Sequence, residues 1–204
     1  MGFYCGWLFP RILDLVMRQQ QMVPFRERIG QAAAGQVLDL GIGSGVNLAF
    51  YGSGVEHVYG ADPSVELLRL ADERARQAKV PVELLCSFGE ALPLESKSVD
   101  TAVVTFTLCS IGDPIAALSE LRRVLKPSGR LLFAEHGRAP EAAVARWQDR
   151  ITPFWKRLAG GCHLNRKPDD LIRSAGFRIE QLGTSYLKGP RPMAFVYSGS
   201  GRPL

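Results

Sequence analysis

Short apolar runs of strand length alternate along this chain with longer stretches in which apolar residues return every three or four positions. "QVLDLG" at 36–41 is the first such run, followed by "HVYGAD" at 57–62, "VELLCSF" at 82–88, "VDTAVVTFTLCSI" at 99–111 and "GRLLFAEH" at 129–136. Their length and β-branched content predict buried strands. Between them, residues 44–52, "PSVELLRLADERARQAK" from Pro63 and "DPIAALSELRRVL" from Asp113 predict helices, with Pro63 near a first turn and Pro127 and Gly129 beyond a last one. Val144, Trp147, Ile151, Phe154 or Trp155, and Leu158 set an amphipathic helix after the fifth strand, which Pro153 should bend or break. A short helix over "PDDLIRSAG" and two closing strands, "FRIEQLGTSYL" and "MAFVYSG", complete the pattern. Strands that alternate with helices imply an α/β fold: a seven-stranded, doubly wound sheet, mainly parallel, with an antiparallel hairpin at the C-terminal end.

The 204 residues are expected to form one domain, with residues 1–30 a helical cap and 138–168 an insertion on the substrate side after the fifth strand. The apolar start of the chain is interrupted by Pro10, Arg11 and Asp14, so it reads as an amphipathic cap rather than a leader or a span. Cys5, Cys86, Cys109 and Cys162 form no C-x-x-C pair, so no metal site and no disulfide framework is expected, and the thiols suit a cytoplasmic protein. The net charge of +5 is uneven: residues 1–120 carry 9 basic and 14 acidic side chains, residues 121–204 carry 16 and 6. A basic C-terminal part beside an apolar cap allows peripheral contact with an anionic membrane surface.

The candidate chemistry lies in "VLDLGIGSGVNLAFY". In an open α/β sheet, ligands sit at the carboxyl ends of strands, where glycines let backbone approach them. Gly41, Gly43 and Gly45 form G-x-G-x-G, whereas the dinucleotide fingerprint wants a glycine where Val46 stands. No G-K-[ST] follows, which excludes a P-loop. Asp39, two residues before Gly41, would repel a pyrophosphate but suits an ammonium group. Asp62 ends the second strand, where an acid accepts hydrogen bonds from ribose hydroxyls. An amine, a ribose and no phosphate partner together describe S-adenosyl-L-methionine.

The ordered set "VLDLGIGSG…GADPS…ALPLESKSVDTAVV…LRRVLKPSGRLLFAEH" resembles the class I S-adenosylmethionine-dependent methyltransferases over nearly the whole chain. The pieces "TFTLCSI", "AEHGRAP", "RWQDRITPFWKRLAGGCHLNR" and "GPRPMAFVYSGSGR" look like bacterial relatives of the animal microsomal thiol methyltransferases. The resemblance implies a Rossmann-like class I fold in which Asp39, Gly41, Gly43 and Gly45 hold the methionine end of the cofactor and Asp62 its ribose. Many relatives have an acid near the adenine; here Phe88 stands at that place, with Glu90 close by. Thr107 and Cys109 follow the fourth strand, at a place that lines cofactor and acceptor, Thr107 on the cofactor side and Cys109 on the acceptor side.

The implied reaction is methyl transfer to a small, largely apolar acceptor. A thiol is the leading candidate, with O-, N- or C-methylation of a lipid, quinone or other metabolite as the alternative and a non-catalytic binding protein as the remaining one. An acceptor thiol must lose its proton, and His136 at the end of the fifth strand is the first candidate base, His163 the second. Trp147 and Trp155 are candidates to roof the acceptor pocket, and Arg166 to meet an acidic group on it. Nucleic acid is not an expected partner, since no N/D-P-P-Y/F motif follows the fourth strand. The sequence carries no statement of oligomeric state.

Overall fold

A computed structural model describes residues 8–204. The reading of residues 1–7, Cys5 included, lies outside the described residues. Seven strands form one sheet: β1 (Gly35–Leu40), β2 (Val55–Asp62), β3 (Val82–Cys86), β4 (Val99–Thr105), β5 (Leu125–His136), β6 (Phe177–Tyr186) and β7 (Phe195–Pro203). Their order is β3-β2-β1-β4-β5-β7-β6. β1 pairs in parallel with β2 and β4, and β4 with β5. β7 enters antiparallel between β5 and β6. The order reverses between β1 and β4, which opens a crevice at their carboxyl ends.

The helices are α1 (Phe9–Met17), α2 (Val23–Ala32), α3 (Val65–Ala75), α4 (Pro114–Val124), α5 (Ala142–Leu158), α6 (Pro168–Ser174) and α7 (Arg191–Ala194). Local chemistry sets their starts. Ser64 caps α3 by accepting from the Leu67 amide at 3.3 Å, and Asp113 caps α4 by accepting from the amides of Ile115 and Ala116. Burial then holds the layers. Leu38, Val103, Val104, Leu118, Leu121, Leu131 and Phe177 have almost no exposed surface. Each such side chain contributes roughly 1.5–3 kcal/mol relative to an exposed one.

Three local expectations are corrected. The helix expected over 44–52 is a 3-10 turn of five residues, Val46–Phe50. It stays short because Gly45 enters it in the left-handed region, and Asn47 and Tyr51 both turn inward onto Asp39. The fourth strand ends at Thr105 rather than Ile111, because Phe106 adopts φ +54° and turns the chain. Pro153 does not break α5, which runs unbroken to Leu158. It removes one amide donor only, while the Thr152 hydroxyl donates to the Gln148 carbonyl at 2.6 Å. The connection between β6 and β7 is longer than a tight turn and contains α7.

Candidate active site

The loop after β1 is built around a buried carboxylate. Asp39, next to the last residue of β1, has no exposed surface, and its Oδ2 accepts hydrogen bonds from Asn47 Nδ2 at 2.9 Å and Tyr51 Oη at 2.8 Å. Asn47 in turn takes a bond from the Arg26 guanidinium of α2 and gives one to Thr105 Oγ1 at 2.9 Å. Burial pushes the Asp39 carboxyl up to about 6, against these hydrogen bonds and the Arg26 charge, which favour its ionised form. Asp39 therefore shapes the loop from beneath, its Oδ2 holding both Asn47 and Tyr51 while Asn47 also reaches its Oδ1 at 3.2 Å.

Above it, Gly41, Gly43 and Gly45 have φ values of +68°, +55° and +78°, a region that glycine enters without steric cost. A Cβ on Gly41 would lie 2.2 Å from Thr107 Cγ2, and one on Gly45 3.1 Å from the Cα of Ala71 in α3. A Cβ on Gly43 would meet only the Gly41 carbonyl oxygen, at 3.9 Å. Gly41 and Gly45 are thus packing glycines, and Gly43 faces open space. Asp14 of α1 clamps the loop from outside: it accepts from Ser44 Oγ at 2.6 Å and pairs with Arg74 at 2.8 Å.

Asp62 ends β2 beside the same loop. Its Oδ2 accepts from the Gly43 amide at 3.0 Å and its Oδ1 from the Ser64 amide at 2.8 Å. Each oxygen keeps one lone pair for a ligand hydroxyl. Burial raises the Asp62 carboxyl above its ordinary range while the two amides hold it down. Phe88 lies past β3 as an exposed aromatic ring. Glu90 points elsewhere than expected: its Oε1 accepts from the Asp113 amide at 3.1 Å, at the start of α4. Thr107 packs on Gly41, and its amide donates to Glu135 Oε1 at 2.7 Å.

On the far side of the crevice, the turn at Phe106 brings Cys109 over the end of β5. His136 Nε2 lies 2.9 Å from Cys162 Sγ, and Cys109, His136 and Cys162 place their ligand atoms within 4.8 Å of one another. A hydrogen bond from Cys162 and the adjacent His136 pull the Cys109 thiol well below its usual range, despite burial. Cys162 is raised by the same hydrogen bond and by burial. For His136, burial lowers the imidazole and Cys109 more than offsets it, so the net direction is up. Glu135, fully buried beneath them, is raised well above its usual range by burial and by Cys109.

The remaining candidates divide. Trp155 donates from Nε1 to Cys162 Sγ at 3.3 Å and packs in the apolar cluster around Cys109, Cys162 and Leu164. Trp147 is exposed, with the Arg150 guanidinium 5.8 Å from its ring centre, and is not brought to this cluster. His163 is held by its backbone amide, 2.7 Å from the Cys109 carbonyl oxygen, with its Nδ1 at 3.2 Å from the same atom. Arg166 donates to the carbonyls of Leu108 and Ile111, at 2.5 and 2.7 Å, so it ties down the loop after β4. Sequence reading missed Cys162 and Glu135. The signal for Cys162 is faint: Gly160 and Gly161, both at positive φ, return the chain toward β4 just before it.

An open sheet of this order, with one antiparallel strand beside β5 and a glycine loop opposite a ribose-type acid, defines a class of protein. The chain belongs to the class I S-adenosylmethionine-dependent methyltransferases. A family profile described as a methyltransferase domain matches residues 38–133. The chain is 37% identical over 150 residues to thiol S-methyltransferase TMT1B of Rattus norvegicus, a match covering 72% of this chain and 61% of the relative. It is 30% identical over 187 residues to human thiol S-methyltransferase TMT1A, covering 85% and 74%. A ubiquinone/menaquinone biosynthesis C-methyltransferase, UbiE of Syntrophotalea carbinolica, is 32% identical over 142 residues, covering 68% and 59%. Among solved structures, a SAM-dependent methyltransferase from Aquifex aeolicus superposes with a TM-score of 0.65 at 18% identity, covering 96% of this chain and 98% of that one, a likeness of fold.

S-adenosylmethionine is the cofactor of this family, and the residues present fit it. Gly43 leaves space for close backbone approach, Asp62 has free lone pairs, Phe88 offers an uncovered ring, and the Arg74 guanidinium beside the loop is bound to Asp14 and the Ser44 carbonyl rather than presented to a phosphate.

Proposed function

We propose that this chain transfers a methyl group to the sulfur of a small, largely apolar thiol. The observation that carries the reading is the convergence of Cys109, His136 and Cys162 at the carboxyl ends of β4 and β5, across the crevice from the glycine loop. The two thiol methyltransferase relatives support the same acceptor class.

In this reading the glycine loop and Asp62 hold the cofactor, with Phe88 against its base, and the bound cofactor supplies a methyl group on a sulfonium. The protein's share is alignment. Holding an acceptor sulfur about 3–3.5 Å from that carbon contributes roughly 7–11 kcal/mol toward the barrier. His136, at the end of β5, favours the thiolate form of the acceptor. Trp155, Leu164, Ile151 and Met193 form an apolar wall that excludes water there. Residues 138–168 form the acceptor side: Gln148 of α5, with no exposed surface, accepts from the Ala139 amide at 2.9 Å and donates to the carbonyls of Gly137 and Pro192.

Leu8, Ile12, Leu15 and Val16 line an exposed apolar face of α1, and Phe154 and Leu158 are exposed on α5. Arg11, Arg18, Lys156 and Arg157 lie among them in sequence. Such a surface supports peripheral contact with an anionic membrane, from which apolar acceptors would enter. No helix among the described residues is long and apolar enough to cross a membrane.

The test is a panel of aliphatic thiols, phenols, amines and a reduced quinone, each incubated with labelled S-adenosylmethionine. Thiols should be methylated fastest. Transfer confined to the quinone would favour the C-methyltransferase reading that the UbiE relative supports.

A further inference from the structure

Three side chains from distant parts of the chain, Cys109 after β4, His136 at the end of β5 and Cys162 after α5, present two sulfurs and one imidazole nitrogen within 4.8 Å of one another. In a tetrahedral Cys2His site the metal–sulfur distance is about 2.3 Å and the metal–nitrogen distance about 2.0–2.1 Å, which puts neighbouring ligand atoms roughly 3.4–3.8 Å apart. The observed spacings, 2.9 Å from His136 Nε2 to Cys162 Sγ and at most 4.8 Å overall, close on that geometry with movements of about 1 Å or less.

The surroundings match such a site. Trp155 Nε1 donates to Cys162 Sγ at 3.3 Å, and Ser110 Oγ stands 3.4 Å from Cys109 Sγ, so each sulfur has a polar neighbour to orient it. Glu135, next to His136 in the chain and fully buried, keeps an Oε2 with no hydrogen-bond partner. Leu164, 1% exposed, packs against Cys109 and Cys162 in a buried apolar cluster.

We propose that Cys109, His136 and Cys162 bind one divalent cation of the zinc type, leaving the fourth tetrahedral position for the acceptor sulfur. Two thiolates and an imidazole select a borderline-soft ion over calcium or magnesium, and three protein ligands are the pattern of a reactive site rather than a closed structural one. Cysteine thiols that bind the ion release their protons to solvent, and no oxidation state changes. A thiol entering the fourth position likewise loses its proton and is held as a metal-bound thiolate, its sulfur lone pair facing the methyl group. The three-ligand site stands on geometry alone; the use of the fourth position rests on the thiol reading above.

The test is a titration of the reduced, metal-free protein with cobalt(II). One equivalent should give the visible bands of four-coordinate cobalt and a near-ultraviolet sulfur-to-cobalt band. Cys109→Ser and Cys162→Ser should each lose the sulfur band in part and weaken binding more than a hundredfold. Cys86→Ser, an exposed thiol elsewhere, should bind as the wild type does. Trp155→Phe, which keeps an aromatic ring and removes the donor to Cys162, should weaken binding on the order of 10–100-fold. A reduced wild-type protein that still binds S-adenosylhomocysteine, and so is folded, but shows no sulfur-to-cobalt band overturns the proposal. Recovery of a Cys109–Cys162 disulfide in place of metal binding overturns it too. A small thiol should shift the visible bands at unchanged stoichiometry, and no shift removes the fourth-position role. A chain that binds cobalt on these ligands yet methylates no thiol keeps the cation site and sinks the acceptor reading.

Discussion

Replacing Gly43 by alanine separates the ligand-facing glycine from the packing glycines beside it. Gly43 has φ +55°, where an L-residue pays about 1–2 kcal/mol. Its added Cβ would touch nothing nearer than the Gly41 carbonyl oxygen at 3.9 Å, so no overlap adds to that cost. For a chain of this size each kcal/mol lowers the melting temperature by about 2–4 °C, which predicts a drop of roughly 2–8 °C. The methyl group occupies the space through which the cofactor approaches the loop, so S-adenosylhomocysteine should bind more than tenfold weaker, a loss above ~1.4 kcal/mol. Gly41→Ala provides the contrast. Its Cβ would sit 2.2 Å from Thr107 Cγ2 and force the loop after β4 to move, adding about 1–3 kcal/mol of overpacking to the same backbone cost. Calorimetric titration gives affinity and differential scanning gives stability on the same samples. A Gly43→Ala protein that binds S-adenosylhomocysteine as tightly as the wild type would refute the assignment of this face to the cofactor.

Three further outcomes follow from the same geometry. His136→Gln should lower thiol turnover by about 10²-fold or more while leaving S-adenosylhomocysteine affinity unchanged, and equal turnover would remove His136 from the reaction. Gln148→Ala leaves the Ala139 amide and two carbonyls without their buried partner, so it should cost about 3 kcal/mol in a urea melt; a loss below ~0.5 kcal/mol would contradict the anchoring of α5. Asp39 binds its proton more tightly in the folded chain, at about 6, than in the unfolded chain, near ~3.9, so its contribution is most favourable below that lower value and is lost as pH rises toward 6. Relative to Asp39→Asn, the wild type should lose about 2 kcal/mol of unfolding free energy between pH 4 and 7, and a difference flat in pH would show that burial does not dominate at Asp39.

The sheet was legible in the sequence because its central strands are largely buried and read as short, mostly apolar runs, as at Val37–Leu40 and Val99–Thr105. The glycine loop and Asp62 were legible because one β-turn-β segment carries them at fixed spacing. What could not be read are contacts between elements. Nothing near Asp39 announces that Asn47 and Tyr51 turn inward onto its carboxylate or that Arg26 of α2 reaches Asn47. Arg166 looked available to a ligand, yet the loop carbonyls it holds lie 58 and 55 residues earlier. Cys109, His136 and Cys162 show no metal-type spacing, since three separate strand and helix ends bring them together. The left-handed turn at Phe106, a non-glycine residue, leaves no mark in composition or periodicity, although it ends β4 and sets Cys109 over β5.

The central claim is methyl transfer from S-adenosylmethionine to sulfur. The most direct measurement supplies the protein with cofactor carrying a deuterated methyl group and a single small alkyl thiol, and follows both products by mass spectrometry. The account predicts a thioether that carries the whole deuterated methyl group, formed one-for-one with S-adenosylhomocysteine. S-adenosylhomocysteine formed without labelled thioether, or label that appears only on carbon, oxygen or nitrogen acceptors, would contradict it.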